Sequence, residues 1–330
     1  MERFRKHADE GTGVNPWIPP APPRDPRAAR LPLLGLAALL SLLRTVLACA
    51  VLVLIAAFEL ATAPFTLVPP LVGVAALPSR VLCRLLLLLC GVTSSRIERG
   101  GLKRQAGADS STPRAGDLIV SNWSSPLDIL YLSRYTSTFL LPVTDGKPTP
   151  STLGYRRLGL LGALWQCGHP APTSSSDATL PALGDLIARS STPLVLLNEG
   201  TTSNNRALLK PLPLRVGKTA PRQSRVFVAT LTHDAPSIAR PSATAPVPSS
   251  LGPIGHLWRI NLALTSRTIV CHLVGPPATP ELVADSTSRG SDRKLADALV
   301  LVASSSSRLR ALATTSAAGK PAFLAAWAQR

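Results

Sequence analysis

From Leu31 to Leu77 the chain carries two charged residues, Arg44 and Glu59. A block this apolar must be buried in a bilayer or in a deep core, and a spanning helix needs roughly 20 mostly apolar residues. Leu36 to Phe58 meets that length, with Arg44 close enough to one end to snorkel. Leu60 to Leu77 follows, interrupted by Pro64, Pro69 and Pro70. No Lys or Arg lies between Thr45 and Ser79, whereas Arg24, Arg27 and Arg30 precede the block and Arg80, Arg84, Arg96 and Arg99 follow it. Positive charge marks the cytoplasmic side, so the pattern predicts a hairpin that spans twice or dips in and returns, with Glu59 near its turn. A buried helical pair of a soluble protein is the competing reading. The stretch Val81 to Val92, broken by Arg84, is too short to span and is expected to lie in the interface or against a globular part.

The rest of the chain divides around this block. Residues 1–30 are polar and hold prolines at 16, 19, 20, 22, 23 and 26, which predicts a disordered tail. Residues 31–92 form the membrane hairpin and interfacial helix. Residues 93–330 read as an α/β domain around a mostly parallel sheet. Its predicted strands are Gly116–Val120, Phe139–Val143, Pro193–Leu197, Val226–Leu231 and Thr268–Val274. Helices are expected over Leu127–Tyr135, Thr179–Arg189, Leu295–Ala303 and Leu309–Ala318. Ala235 to Pro253, rich in Pro, Ser and Ala, reads as a mobile loop, and Pro276 to Asp292 looks similar.

The net charge is +17, from 35 Lys and Arg against 18 Asp and Glu. This excess favours anionic partners. Only 4% of residues are aromatic, too few for the stacking platforms of single-strand readers, so nucleic acid is disfavoured and a membrane or phospholipid partner fits better. The five cysteines form no CxxC pair, which predicts neither a disulfide framework nor a metal site.

Two polar segments each follow an apolar, strand-like run. The first is Ser121-Asn-Trp-Ser-Ser-Pro-Leu-Asp128, and the second is Asn198-Glu-Gly-Thr-Thr-Ser-Asn-Asn-Arg206. Ligands of parallel α/β sheets gather at the carboxyl ends of strands, so both are expected in one cleft. Pro126 suits a first helical turn, capped by Ser124 or Ser125, and Asp128 is well placed against the helix dipole. Gly200 permits close backbone approach. Thr201, Thr202 and the backbone around them could grip an anionic headgroup, with Glu199 and Arg206 placing it.

These segments resemble the glycerolipid acyltransferase family (PlsC-like, lysophosphatidate acyltransferase type), and within it a fungal lysophosphatidate:oleoyl-CoA branch. That family carries Asn-His, four residues, then Asp, followed later by Glu-Gly-Thr with a nearby Asn and Arg. Here the first pattern is Asn122-Trp123 with Asp128, and the second runs from Glu199 to Arg206. The resemblance covers about Gly116 to Val274, behind a membrane hairpin as in other members. It implies an acyltransferase-like α/β sandwich and an enzyme moving a fatty acyl group from acyl-CoA to a lysophospholipid, lysophosphatidic acid to phosphatidic acid. It further implies no cofactor beyond acyl-CoA as co-substrate, and a place at the endoplasmic reticulum membrane or lipid droplet with the catalytic domain facing the cytosol. The catalytic positions are Asp128 and, at the family His position, Trp123. Those for substrate are Glu199, Gly200, Thr201, Thr202 and Arg206. Relatives place a phosphate-binding arginine near the position of Gly168, and Arg156 or Arg157 could substitute for it.

Acyl transfer needs a base that takes a proton from an alcohol as it attacks a thioester, a task suited to histidine. The indole of Trp123 can only donate a hydrogen bond. Either His169 or His233, each following a segment expected near the cleft, could replace the missing base. The alternative is a catalytically impaired acyltransferase fold that binds phospholipid or acts as a membrane scaffold.

Overall fold

The computed structural model describes residues 2–22, 31–62, 77–99, 112–146, 152–174, 180–217, 224–282 and 289–329. Its centre is a seven-stranded, mostly parallel sheet in the order β1-β8-β7-β2-β5-β3-β4. The strands are β1 (Val92–Arg99), β2 (Leu118–Ser121), β3 (Phe139–Thr144), β4 (Thr152–Leu158), β5 (Leu194–Leu197), β7 (Val226–His233) and β8 (Arg267–Val274). β7–β8 and β3–β4 are the antiparallel pairs. The inner strands β2 and β5 read Leu-Ile-Val-Ser and Leu-Val-Leu-Leu and are buried throughout, as strands covered on both faces must be. The edge strands instead expose Arg96, Arg99, Arg156 and Arg157, charges that discourage edge-to-edge pairing.

Side-chain alternation along the strands builds two cores. Ile119, Val195 and Leu197 face one side; Leu118, Val120 and Leu196 face the other. The first side is covered by α1 (Leu31–Thr62), α2 (Leu77–Leu89), α3 (Pro126–Leu132), α4 (Leu160–Gln166) and α6 (Gly252–Asn261). The second is covered by α5 (Leu183–Ala188) and α7 (Arg289–Ser307). A two-stranded parallel sheet of β6 (Ala207–Lys210) and β9 (Arg310–Ser316) stands apart, beside the C-terminal helix α8 (Lys320–Ala328).

Among the described residues α1 is the one helix long and apolar enough to cross a membrane, over Gly35–Thr62. The returning limb expected over Leu60 to Leu77 lies largely outside the described residues. α1 buries a stripe along Ala37, Ser41, Ala48, Val51 and Ile55 and exposes Leu39, Leu43, Val46 and Val53 on other faces. The stripe is docked by polar contacts: Ser41 Oγ donates to the Trp258 carbonyl at 2.9 Å and Asn261 Nδ2 donates to Thr45 Oγ1 at 3.0 Å. The Arg44 guanidinium donates to the Ala263 carbonyl at 2.6 Å, beyond the C-terminus of α6 where a cation is favoured. The stretch expected to be interfacial or packed is α2, whose Cys83, Leu86 and Leu87 are buried.

Three expectations are corrected. Residues 2–22 are not a disordered tail: Phe4 and Trp17 are buried in a third core with Leu209, Leu312 and Phe323, and two aromatic anchors outweigh a proline-rich composition. The Pro/Ser-rich segment 235–253 is not a free loop, because Ala243, Thr244 and Ala245 are buried. Leu309 to Ala318 is not a helix. Arg308 adopts φ +61, a left-handed geometry that ends α7, and Arg310 to Ser316 then pairs with β6.

Candidate active site

β2 and β5 are parallel neighbours, with Ser121 opposite Leu197, so the two polar segments leave the sheet at the same end. The first is held to β7: Ser121 Oγ donates to the Ala229 carbonyl at 2.8 Å, while the Asn122 side-chain amide exchanges two hydrogen bonds with the Leu231 backbone, at 3.0 and 2.7 Å. Ser125 is the N-cap of α3, with Pro126 in the first turn and Asp128 closing a capping box. Asp128 is fully buried. Its Oδ2 accepts from Ser124 N at 2.7 Å, Ser124 Oγ at 3.0 Å and Ser125 N at 2.9 Å.

The other oxygen of Asp128 meets His233, at the end of β7, with Oδ1···Nε2 at 2.6 Å. A carboxylate already taking three donors acts as an acceptor, so Nε2 carries a proton and, in the neutral ring, Nδ1 holds the lone pair. No described residue makes a hydrogen bond to Nδ1. The His233 side chain keeps 5% of its surface exposed against none for Asp128. Of the two candidate bases, His233 is the one that reaches the carboxylate. The carbonyl of His169 accepts the Thr201 hydroxyl at 2.6 Å, and its ring makes no bond to Asp128.

Trp123, at the position where the resembled family has histidine, is fully buried in the core, with its indole beside the Cys167 thiol. Its side chain packs in the core on the side of the sheet that carries Leu127 and Leu164. Its backbone does the joining: Trp123 N donates to Glu199 Oε2 at 3.4 Å and its carbonyl accepts Ser203 N at 2.9 Å.

The second segment is spent on internal bonds. Both carboxylate oxygens of Glu199 are bonded internally: Oε1 accepts Leu209 N at 3.0 Å and Oε2 accepts Trp123 N. Burial, partly offset by these bonds, raises its pKa to about 7. Gly200 turns the chain at φ +69, where a Cβ would meet Leu212 and Pro142 at 3.2 and 3.3 Å. Thr202 Oγ1 donates to the Ala245 carbonyl at 2.5 Å and accepts from Gly168 N at 2.9 Å. Asn204 donates to the Asn15 and Ile18 carbonyls, both at 2.9 Å. Arg206 alone in this segment extends an exposed side chain. At Gly168 a side chain would collide with the backbone of Val247 and Pro248 at 2.7 Å, while Arg156 and Arg157 face solvent on the far edge strand β4.

Segment 235–253 joins the two loops. Ser125 Oγ donates to the Ala243 carbonyl at 2.7 Å, Ala245 N donates to the Ser124 carbonyl at 2.8 Å, and the Ala245 carbonyl takes Thr202. Sequence reasoning missed Lys320, whose fully buried Nζ donates to Thr201 Oγ1 at 2.7 Å, the Thr202 carbonyl at 2.9 Å and Thr202 Oγ1 at 3.2 Å. The available signal was a lone cation in the otherwise uncharged run Ala311 to Gln329. Beside α3 lies an apolar cavity of about 220 Å³, lined by Leu52 of α1, Leu86 of α2, Pro126, Leu130, Trp165 and Leu257 among others.

No family model, no curated protein and no solved structure matches this chain.

Proposed function

We propose that this protein is a membrane-associated acyltransferase that moves a fatty acyl group from acyl-CoA to a lysophospholipid, most simply lysophosphatidic acid to phosphatidic acid, with His233 as its base. The observation that carries this reading is the 2.6 Å contact between His233 and Asp128. It returns an imidazole to a carboxylate whose sequence neighbour, Trp123, cannot act as a base.

The chemistry follows from the tautomer. Asp128 holds the Nε2 proton, so Nδ1 takes the proton of the acceptor hydroxyl as that oxygen attacks the thioester carbonyl. Collapse of the tetrahedral adduct breaks the C–S bond, and the imidazolium at Nδ1 returns the proton to the leaving thiolate. The apolar cavity supports the acyl part of the reading. At about 220 Å³ it is smaller than the roughly 300–1,000 Å³ of sites that enclose a whole ligand, which suits a portion of an alkyl chain. The chain's remainder would lie along the exposed apolar face of α1. The same face is the proposed bilayer contact, at the endoplasmic reticulum or a lipid droplet, and the exposed Arg206 is the group free to meet an acceptor phosphate.

A second reading, a phospholipid-binding scaffold, is favoured by the buried Trp123 at the family His position. Purified protein assayed with labelled oleoyl-CoA and a panel of lysolipids separates them. The enzyme reading expects transfer in wild type that is lost in His233→Ala. Absence of transfer in wild type across the panel, or transfer appearing only in Trp123→His, overturns it in favour of the scaffold.

A further inference from the structure

Lys320 belongs to neither polar loop, yet it is the one described residue whose side chain bonds both Thr201 and Thr202. It is 0% exposed, and its bonds can be assigned donor by donor. The single proton of Thr201 goes to the His169 carbonyl and that of Thr202 to the Ala245 carbonyl. Neither hydroxyl can then donate to Nζ, and the Thr202 carbonyl has no proton to give. All three contacts of Nζ must therefore be donations, and three donations require an ammonium.

No carboxylate forms an ion pair with it among the described residues. Its surroundings are hydroxyl and carbonyl oxygens and the face of Trp17, whose ring centre lies 5.3 Å from Nζ. The titratable groups around it come from three elements: Glu199 at the end of β5, Cys167 after α4, and His256 on α6. Burial pushes the Cys167 thiol up and His256 down to about 4, so both are neutral around pH 7.

We propose that Lys320 is a positioning residue: its ammonium clamps the Thr201–Thr202 turn, and through Ser203 and Glu199 that turn holds the Trp123 backbone beside the Asp128–His233 pair. Trp17 and Lys320 join the N-terminal segment and the start of α8 behind the turn, so the two ends of the chain set the loop's rigidity. The clamp is proton-dependent. A neutral amine has two hydrogens, so on losing its proton Lys320 must release one of its three acceptors. Burial pushes its pKa well below 10.5, which brings that release below the range of a solvated lysine.

The sign of the linkage gives the clamp a signature. Between the depressed folded value and the ordinary one, the unfolded chain binds a proton that the native chain has given up. This group's contribution to global stability therefore rises with pH while the turn it holds loosens. A residue that merely fills space would move both quantities together or neither.

The test is hydrogen exchange on the full-length protein in detergent from pH 5 to 10, corrected for intrinsic rates, comparing wild type with Lys320→Met. Peptides over 199–206 and 120–128 report the site, and one over 296–303 of α7 is the control. At the lowest pH, Lys320→Met is expected to exchange about five- to tenfold faster over 199–206, the scale of one lost hydrogen bond, with α7 unchanged. Wild-type exchange over 199–206 should climb part of the way to that level as pH rises, and the difference between the two proteins, which cancels Glu199, should narrow. Equal protection at all pH values overturns the proposal, as does a difference between the two proteins that stays constant with pH. If that variant does not fold, the series is run on Glu199→Gln, which removes the other titrating group of the turn: a flat profile over 199–206 overturns the clamp, and a rise confined to the site peptides supports it. The readout does not depend on turnover, so it stands or falls separately from the acyltransferase reading.

Discussion

The two polar loops look alike in sequence and differ in use. The Ser121–Asp128 loop fixes its backbone and still keeps one carboxylate oxygen for the His233 imidazole. The Glu199–Arg206 loop consumes nearly every polar atom it has: Glu199 on two backbone amides, Thr201 and Thr202 on carbonyls, Asn204 on the N-terminal segment. Asn205 Oδ1 is left buried without a partner among the described residues, and Arg206 is the one exposed side chain of the loop. Hydroxyls and carboxylates at a strand end are thus ambiguous, since the groups that could grip a headgroup can equally satisfy buried backbone. The difference predicts that damage to the first loop is chemical and damage to the second is structural.

The largest effect separates them most sharply. His233→Ala should lower acyl transfer by roughly 10²–10⁴-fold, the usual contribution of a positioned base, and because it leaves the buried Asp128 Oδ1 without its partner it should also cost about 1–3 kcal/mol of stability. Asp128→Asn should lose activity similarly because it no longer selects the Nε2–H tautomer. Unchanged turnover in an active preparation of His233→Ala would make the first loop scaffolding too, and the contrast would collapse.

Glu199→Ala is the converse. It strands the Trp123 and Leu209 amides in a buried site, at about 1–3 kcal/mol each, so chemical denaturation should show a loss of about 2–6 kcal/mol. Its pH dependence sharpens the point. Glu199 has a folded value of about 7 against an ordinary 4.5, so its contribution is full below the ordinary value and is lost as pH rises to about 7. His256, pushed down to about 4 from 6.5, acts oppositely, adding stability as pH rises through that interval. The two offset each other in wild type. Glu199→Gln removes the falling component, so the variant's stability relative to wild type should climb between pH 4.5 and 7. A constant difference across that range would place Glu199 in water rather than in the core.

Much of the sheet was legible because β2, β5 and β7 are short apolar runs ending in polar loops, and period-two burial leaves little else for such runs to become. The carboxyl-end placement of both loops followed from the same pattern. What escaped the sequence was set by distant contacts. Leu309 to Ala318 has helical composition, yet the open edge of β6 and the left-handed turn at Arg308 make it a strand. The proline-rich N-terminal segment is ordered because Asn204 takes its carbonyls and Phe323 packs on Phe4. His233 was one of two candidate bases, and nothing local favoured it over His169. The deciding fact is that β7 lies beside β2, 105 residues apart in sequence at the point of contact.

The smallest expected effect concerns Arg206, which tests whether the second loop keeps any role towards substrate. Its side chain is exposed and its backbone N–H, not its guanidinium, bonds Asn204 Oδ1 at 3.2 Å. Arg206→Ala should therefore shift stability by no more than about 0.5 kcal/mol, as surface changes do. If the guanidinium meets the acceptor phosphate by charge-assisted bonds, KM for lysophosphatidic acid should rise about tenfold, in line with the roughly 1.5–3 kcal/mol of a hydrogen bond to a charged group partly offset by solvent. The maximal rate should stay within a factor of about two, because a uniform binding contact lowers KM without changing the chemical step. A neutral lysolipid should show no such rise. Equal KM changes for charged and neutral acceptors would remove Arg206 from the binding surface and leave the second loop wholly structural.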